Sequence, residues 1–366
     1  MLKRSFGVAA VTAAAALLLA ACSSGSDTAA SEDTAAGAAS GLACVILPDS
    51  ASSPRWENGD RPALKEALEA AGFTTDIQNA EGDTAKMLTI GDQMLASGCN
   101  VMIITDYQGA GAQVAAKSKA QGVPTIAYDR PIEGVDYYVS FDNVTVGTLQ
   151  GEGILKCLAD AGKDPKTAEL IFLDGDPTDG NAAMFAEGYD TALKAAGVEV
   201  DKAKLGAKRP DGTWDGATAG TNFEQALTAN GGKVDAVVSA NDTNAASAIA
   251  ILDKNKLTVP VSGQDASKEG MNNVLSGKQC MTVFKDYLVE ASTAAELAIA
   301  ILKGETPTTN KQLADGTPFQ AADPQALYAD AASLEGFKAA LDRSGLTAAD
   351  VCTGDAAAKC TEIGLS

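Results

Sequence analysis

The stretch that decides the fold is Pro124-Thr-Ile-Ala-Tyr-Asp-Arg-Pro-Ile-Glu-Gly-Val-Asp-Tyr-Tyr-Val-Ser-Phe-Asp-Asn143. It contains two short runs of β-branched and aromatic residues, 125–128 and 137–141, which predict two buried strands. The first run is followed by Asp129 and Arg130, an acid and a guanidinium at the point where the strand leaves its sheet. In open α/β sheets ligands bind beyond the carboxyl ends of the strands, so this pair is predicted to face a ligand.

Strand and helix patterns alternate on both sides of this stretch. Apolar runs at 42–47, 75–78 and 101–104 are each followed by a segment with apolar residues at helical spacing, and the same rhythm starts again after residue 143. Such alternation is typical of parallel sheets covered by helices on both faces. The chain of 366 residues is also too long for one ordinary core. We therefore predict an α/β fold with two similar units in tandem.

Three further predictions concern the two crossings between the units and one strand of the second unit. The strand 137–141 runs through Asp142 directly into a helical pattern, which predicts a first crossing between the units. The segment 197–205 is predicted to be a strand of the second unit. The segment 280–286 is interpreted as a strand that completes the first unit, which places a second crossing near Thr282.

The first 21 residues have the pattern of a secretory signal. Two basic residues precede an apolar run that is too short for a comfortable membrane span. The sequence Leu19-Ala-Ala-Cys22 then matches the box at which bacterial lipoproteins are cleaved before a lipidated cysteine. Residues 22–41 are rich in Ser, Ala, Gly, Asp and Thr and predict a flexible tether. We expect an extracytoplasmic protein that only a lipid on Cys22 holds to the membrane; the alternative is an ordinary secretory signal with a coincidental cysteine.

Charge and histidine content exclude several classes of function. The formal net charge is −20, which argues against nucleic-acid binding because that function needs basic surface to neutralise phosphates. The chain contains no histidine, so Ser-His-Asp triads and histidine-based zinc sites are excluded. We expect a protein that is not an enzyme and that has no cofactor.

Six cysteines follow Cys22, and outside the cytoplasm an even number permits disulfides. Six cysteines allow fifteen connectivities, so the sequence does not fix the pairing. Sequence proximity favours a bridge between Cys352 and Cys360. Cys44 and Cys99 precede or open neighbouring strands and form a second candidate pair. Cys157 and Cys280 would then remain.

Polar residues and both tryptophans collect where the predicted strands end. If the strands are parallel, these residues share the carboxyl edges of two sheets that face each other across a cleft, where ligand sites commonly form. The candidates are Arg55, Trp56, Asp129, Arg130, Asp179, Asn181, Trp214, Asn241, Asp265 and Lys285.

This mixture suits a neutral ligand with many hydroxyl groups. Carboxylates accept the hydroxyl protons, amides and cations donate to the hydroxyl oxygens, and an aromatic plane packs on the C–H face of a pyranose. Each residue has a simpler interpretation too. Asn241 alone is at least as readily a helix cap, and a lone tryptophan is more often part of a core. The convergence of all these positions on one predicted edge favours a ligand site.

The chain resembles bacterial periplasmic sugar-binding proteins of ABC importers, in particular the cluster of D-xylose-binding and multiple-sugar-binding proteins. The resemblance extends over about 42–302. Its motifs are Ser53-Pro-Arg-Trp56, Ala127-Tyr-Asp-Arg130, Ser140-Phe-Asp-Asn143, Asp179-Gly-Asn-Ala182, Ala226-Leu-Thr-Ala-Asn230, Val234-Asp-Ala-Val-Val238, Ser262-Gly-Gln-Asp265 and Met281-Thr-Val-Phe-Lys285.

The resemblance implies two Rossmann-like lobes joined by a three-segment hinge, the type I periplasmic binding protein fold, closing on one monosaccharide. By this resemblance, the polar site candidates listed above would bind the sugar hydroxyls, and Trp56 and Trp214 would stack on the sugar ring. The protein would act as a monomer that delivers the sugar to an ABC permease. D-xylose is the first candidate ligand and D-glucose the next. The expected segments are an N-terminal lobe of 42–142 plus 284–318, a C-terminal lobe of 143–283 plus 319–346, and a Cys-containing tail of 347–366.

Some alternatives and absences also follow. Gly180 stands where relatives with an Asp-Asn-Asn run carry an amide, which leaves the sugar preference open. The stretch 162–166 is too short and too basic for the calcium loop of related proteins, so we expect no metal.

Two alternative functions remain open. A sugar-sensing lipoprotein would have the same sequence features. A carboxylate-based glycosidase, with Asp129, Asp179 or Asp265 as acids, is a less favoured alternative.

Overall fold

A computed structural model describes residues 41–51, 53 and 55–365 of the chain. The predicted signal peptide, Cys22 and the tether up to residue 40 lie outside the described residues. The first part contains β1 (Leu42–Leu47), α1 (Arg61–Ala70), β2 (Thr74–Asn79), α2 (Thr84–Ala96), β3 (Val101–Ile104), α3 (Ala110–Ala120), β4 (Thr125–Tyr128), β5 (Tyr137–Phe141) and α4 (Asn143–Asp160).

The second part continues the alternation and ends in helices. It contains β6 (Leu170–Leu173), α5 (Gly180–Ala195), α6 (Lys202–Leu205), α7 (Gly216–Ala229), β7 (Ala236–Ser239), α8 (Asp242–Lys254), α9 (Lys268–Leu275), β8 (Met281–Phe284), α10 (Tyr287–Leu302), β9 (Lys311–Gln312), β10 (Pro318–Ala322), β11 (Gln325–Tyr328), α11 (Leu334–Arg343), α12 (Ala348–Val351) and α13 (Ala356–Ile363). None of the described helices is long and apolar enough to cross a membrane.

The first sheet has the strand order β2-β1-β3-β4-β5-β10-β9. Its pairs are parallel except for β10 with β9. Both faces are buried because side chains alternate along each strand. In β1, Cys44 and Ile46 pack under α2 and α3, whereas Ala43, Val45 and Leu47 pack under α1 and α10.

The second sheet is built around β6 and β7, which pair in parallel. Isolated bridges join Val237 to Val261 and Gln264 to Val283, and β8 pairs with β11 in antiparallel orientation. Phe172 packs under α4 and α5, and Ile171 packs under α7 and α8. The sheets and their helices confirm the predicted two-unit α/β architecture.

The chain passes between the two sheets at three places: from β5 into α4, from β8 towards α10, and from β10 into β11. The predicted first crossing at Asp142 agrees with these pairings. The interpretation of 280–286 as part of the first unit is wrong, because β8 pairs with β11 and the crossing follows Phe284. The third passage lies between Ala322 and Gln325, a few residues beyond the predicted bound at 318 and 319; the lobe bounds themselves stay a prediction.

The predicted strand at 197–205 is also absent. Val198 packs as loop into the core between α4, α5 and the second sheet, and Asp201 caps α6 by accepting from Ala203 N at 2.9 Å. The two valines at 198 and 200 imitate strand alternation, but neither belongs to a strand in the part of the chain that the structure describes.

Three disulfides join the described cysteines in the pairs that the sequence favoured, Cys44–Cys99, Cys157–Cys280 and Cys352–Cys360. The third lies in the C-terminal helices, which pack on α9 and on Phe284 and Leu327. Arg343, at the end of α11, donates to Asp286 at 3.0 and 3.1 Å. Tyr287 donates to the carbonyl of Arg343. The C-terminal segment is therefore attached to the passage between β8 and α10.

Helices α4 and α5 meet through glycines. A β-carbon at Gly147 would lie 2.0 Å from the carbonyl oxygen of Phe185, and one at Gly188 would lie 2.2 Å from that of Val144. The backbones therefore approach more closely than any side chain would allow.

We expect Gly147→Ala to lower the free energy of unfolding by about 1–3 kcal/mol, because the added methyl group forces the helices apart. The control is Gly220→Ala in α7, where the nearest heavy atom would lie at an ordinary 3.6 Å and alanine favours the helix. Urea unfolding curves measure both. Equal or increased stability of Gly147→Ala would contradict this account of the α4–α5 contact.

Candidate functional site

The structure brings all ten predicted site residues to one cavity between the two sheets. The lining consists of Ser53, Arg55, Trp56, Asp129, Arg130, Asp179, Asn181, Phe185, Trp214, Asn241, Gln264, Asp265 and Lys285. Ser53, Arg55, Trp56, Asp129 and Arg130 follow strands of the first sheet, and the other lining residues belong to strand ends, loops and helices around the second sheet.

Asp129 follows β4 in a left-handed conformation, with φ of 63°. Aspartate tolerates this region better than most residues, and such strained backbone is held only where its surroundings fix it. Here Asp129 N donates to the carbonyl of Val139 at 2.8 Å. The carbonyl of Asp129 accepts from Tyr138 Oη and Ser140 Oγ, both at 2.8 Å. The turn directs consecutive charged side chains, Asp129 and Arg130, to the cavity.

Arg55 precedes the π-helical turn Trp56–Asp60, and its guanidinium is bound by carboxylates. Nε donates to Asp60 Oδ2 at 2.9 Å and Nη2 to Asp60 Oδ1 at 2.7 Å. Nη1 lies 3.2 Å from Asp129 Oδ2. Trp56 is almost fully buried, and its ring lies 4.5 Å from the guanidinium carbon of Arg55 and 5.7 Å from that of Arg130. The cations thus hold the indole at the wall of the cavity.

The opposite wall is built around Asp179, the cap of α5. Its Oδ1 accepts from Asn181 N at 2.9 Å, and its Oδ2 accepts from Trp214 Nε1 at 3.1 Å. The indole of Trp214 lies against Gly175, where a β-carbon would approach the ring to 2.1 Å. The residue at 175 therefore has to be glycine for Trp214 to take this position.

Asn181 and Arg130 connect the two walls. Asn181 Nδ2 donates to the carbonyl of Asp129 at 2.9 Å, and Asn181 Oδ1 accepts from Asn143 Nδ2 at 2.8 Å. Arg130 Nε lies 3.3 Å from Asp179 Oδ2, and Arg130 Nη1 donates to the carbonyl of Asp106 at 2.8 Å. Residues that follow the two sheets are thus joined directly by an amide network and an ion pair.

The remaining candidates lie at the ends of the second sheet. Asp265 has φ of 97° and donates its N–H to the carbonyl of Val283 at 2.7 Å. Lys285 Nζ lies 3.3 Å from Asp265 Oδ1. Asn241 accepts from Asn244 N at 2.9 Å and so caps α8, as its simpler interpretation predicted, while also lining the cavity.

The charged groups set one another's protonation. Burial alone would raise the pKa of Asp129, but Arg55, Lys285 and Arg130 outweigh it and the pKa is lowered. Burial would lower the pKa of Lys285, but Asp265 and Asp129 raise it. Burial raises the pKa of Asp179, an effect that Arg130 reduces. Asp129 and Lys285 are therefore held as ions, in the form that makes strong hydrogen bonds.

The cavity encloses ≈ 40 Å³, far below the ~300 Å³ at which small-molecule sites usually begin. The Arg130–Asp179 and Lys285–Asp265 pairs lie along its walls. A wider cleft of ≈ 510 Å³ adjoins it and shares Arg130, Asp179 and Trp214 as walls.

Three lining residues, Ser53, Phe185 and Gln264, are not among the predicted site residues. Gln264 adjoins Asp265 at the end of a strand and Ser53 lies two residues before Arg55, so their place in the motifs was the available signal. Phe185 gave none, because its position on an apolar helix face is the pattern of a core residue. Gly180 has a packing role: a β-carbon there would lie 2.5 Å from Pro131 of the opposite wall.

The chain matches the model of a known protein family. A model described as periplasmic binding protein domain matches residues 44–306, a range that contains every residue lining the cavity. The chain belongs to the periplasmic binding protein family. The predicted type I fold and the predicted family are thereby confirmed.

Similar proteins of this family bind sugars. The D-xylose-binding periplasmic protein of Escherichia coli is 34% identical over 268 residues, which cover 72% of this chain and 78% of that protein. The multiple sugar-binding periplasmic receptor of Rhizobium radiobacter is 32% identical over 74% of this chain and 80% of its own length. Both are named for sugar binding, the first as a periplasmic protein and the second as a periplasmic receptor.

Solved structures agree with the fold. A carbohydrate transporter solute-binding protein from Chloroflexus aurantiacus, in complex with D-glucose, has a TM-score of 0.71 and 27% identity, with coverage of 85% of this chain and 98% of that one. An ABC transporter solute-binding protein from Clostridium phytofermentans, with bound β-D-glucose, has a TM-score of 0.68 and 30% identity, covering 78% and 93%. This periplasmic binding protein is a sugar-binding type.

We expect Asn181→Ala to destabilise this binding protein by about 1–3 kcal/mol, because it leaves the buried Asp129 carbonyl and Asn143 amide without this partner. Asn255→Ala is the matched control, since that exposed amide donates only within its own helix end. Chemical denaturation measures both variants. Equal effects of the two substitutions would show that the amide network does not join the walls as described.

Proposed function

We propose that this periplasmic binding protein is a lipid-anchored, monomeric solute-binding protein that captures one monosaccharide and delivers it to an ABC permease. D-xylose is the first candidate and D-glucose the second. The observation that carries the proposal is the convergence of three cations, three carboxylates, three amides and two indoles on one cavity between the sheets. The similarity to a D-xylose-binding protein and to glucose-bound structures supports the choice of sugars.

The chemistry of the walls fits a sugar. Each hydroxyl donates one hydrogen bond and accepts up to two, so a site for it needs charged acceptors beside charged donors. Asp129 and Asp265 are the acceptors, and Arg55, Arg130 and Lys285 are the donors, each already next to a group of opposite charge. A neutral ligand with alternating donors and acceptors can take the place of these partners without leaving a buried charge uncompensated.

Binding therefore proceeds by an exchange of partners. The walls separate, the Arg130–Asp179 and Lys285–Asp265 pairs open, and sugar hydroxyls take up the released groups. Closure then buries the sugar against the indoles of Trp56 and Trp214. Because the sugar contacts both walls only when they are together, it shifts the population towards the closed form that a permease recognises.

Lipidation of Cys22 would keep the protein beside its permease on the outer face of the cell membrane. A sensing role is the second candidate, since one relative at 32% identity is named a periplasmic receptor. Both roles use the same capture step. They differ in the partner that reads the closed form, a permease or a receptor.

A screen of pentoses and hexoses by thermal shift is expected to give the largest rise in melting temperature with D-xylose or D-glucose. A ligand that binds only the native state at a hundred times its Kd stabilises by about 2.7 kcal/mol, enough to be measured readily. Sugar alcohols of the same size serve as controls for non-specific solute effects. A flat profile across all sugars would exclude the proposed function.

Asp265→Asn is expected to weaken sugar binding by about tenfold or more, since a charge-assisted bond is replaced by a neutral one and Lys285 loses its counter-ion. Asparagine tolerates the left-handed backbone at this position. The matched control is Asp253→Asn, which removes a carboxylate paired with a lysine on the surface. Isothermal calorimetry gives both affinities; unchanged binding by Asp265→Asn would remove this residue from the site.

A further inference from the structure

A buried carboxylate outside the cavity wall contacts the site from behind. Glu290 lies in the first turn of α10, is fully buried, and does not line the cavity. Its Oε2 lies 2.5 Å from Nη2 of Arg55. Its Oε1 has no hydrogen-bond partner among the described residues. A carboxylate in such a place is costly, and the proposed sugar contacts do not account for it.

The contacts of Arg55 show what Glu290 does. A guanidinium has five N–H groups in one plane. Nε donates to Asp60, Nη2 donates to both Asp60 and Glu290, and Nη1 donates to Asp129. Four donors are thus engaged, and the fifth belongs to Nη1, the nitrogen that also donates to Asp129 of the cavity lining.

We propose that Glu290 is a positioning residue, which together with Asp60 fixes the Nε and Nη2 edge of Arg55 so that Nη1 is presented to a sugar hydroxyl. This inference rests on the proposed function and adds a control on the affinity of the same site. Without Glu290, Nη2 keeps one acceptor instead of two, and the two hydrogen bonds to Asp60 alone hold this edge of the guanidinium.

Charge around Glu290 supports this role. The groups that face it are Arg55 and Asp60 from the turn before α1, Tyr128 and Asp129 from the end of β4, Tyr138 from β5, and Lys285 after β8. Burial raises the pKa of Glu290 to about 8, an effect that Arg55 opposes and that Asp129 and Asp60 reinforce. The raised pKa favours the protonated carboxyl, and Oε2 is an acceptor for Nη2 with or without that proton.

Protonation of Glu290 makes stability depend on pH, which a purely packing role of this side chain would not do. Between its ordinary pKa of 4.5 and about 8, the folded chain keeps a proton that the unfolded chain has released, so this group lowers stability as pH rises through that window. Glutamine does not titrate. The melting temperature of Glu290→Gln relative to the wild type should therefore increase from pH 5 to pH 8.

The test compares Glu290→Ala, Glu290→Gln and the control Glu296→Ala, an exposed residue of the same helix, with the best sugar from the screen. We expect Glu290→Ala to weaken binding at pH 7 by about tenfold, the loss expected for one hydrogen bond to a charged group. Glu290→Gln keeps an acceptor for Nη2 and should bind within about threefold of the wild type. Glu296→Ala should match the wild type.

A double-mutant cycle with Arg55→Lys shows whether Glu290 acts through Arg55. Lysine has no planar fork to be held, so Glu290→Ala should cost less than about twofold in that background. An equal loss in both backgrounds, or wild-type affinity of Glu290→Ala, would overturn the inference while leaving sugar binding intact. Absence of sugar binding by the wild type would overturn the proposed function itself, and this inference with it.

Discussion

The structure depends on buried charges that neutralise one another across the line where the two sheets meet. Arg130 and Asp179, on opposite walls, are both nearly inaccessible to solvent and lie 3.3 Å apart. Removing one partner of such a pair costs free energy, because the charge of the other partner then stays buried without compensation. The pair therefore holds the walls together only as long as no other group offers equivalent bonds. In the proposed function a sugar offers such bonds, so the groups that hold the walls together would also bind the ligand.

Strained backbone places these charges. Asp129 and Asp265 both have positive φ, and both follow a strand or a strand-like segment. Each bend is held by a hydrogen bond from its own N–H to a neighbouring strand. The sheets thus hold the backbone in place, and the bends at their strand ends bring both carboxylates to the cavity. The cost of each bend is of the order of 1–3 kcal/mol, and the surrounding ladders offset it.

Much of this arrangement was predictable from the sequence, because both the alternation of strand and helix and the polar residues after each strand are local signals. Asp129, Asp265 and Lys285 were found in this way. The sheet to which β8 belongs was not, since pairing with β11 joins segments more than forty residues apart and leaves no local mark. Glu290 was missed for a related reason: a glutamate at the start of a helix is usually a solvated residue, and only the folded structure reveals the guanidinium opposite it.

The attachment of the C-terminal helices to Asp286 and Tyr287 has a mechanical consequence. Those two residues follow Lys285 directly, in one of the three connections about which the lobes would have to turn. A rotation at this connection would either carry α11 along or break the contacts of Asp286 and Tyr287 with Arg343. Under the proposed lobe closure, the packing of α11, α12 and α13 would therefore add to the free energy needed to turn this connection.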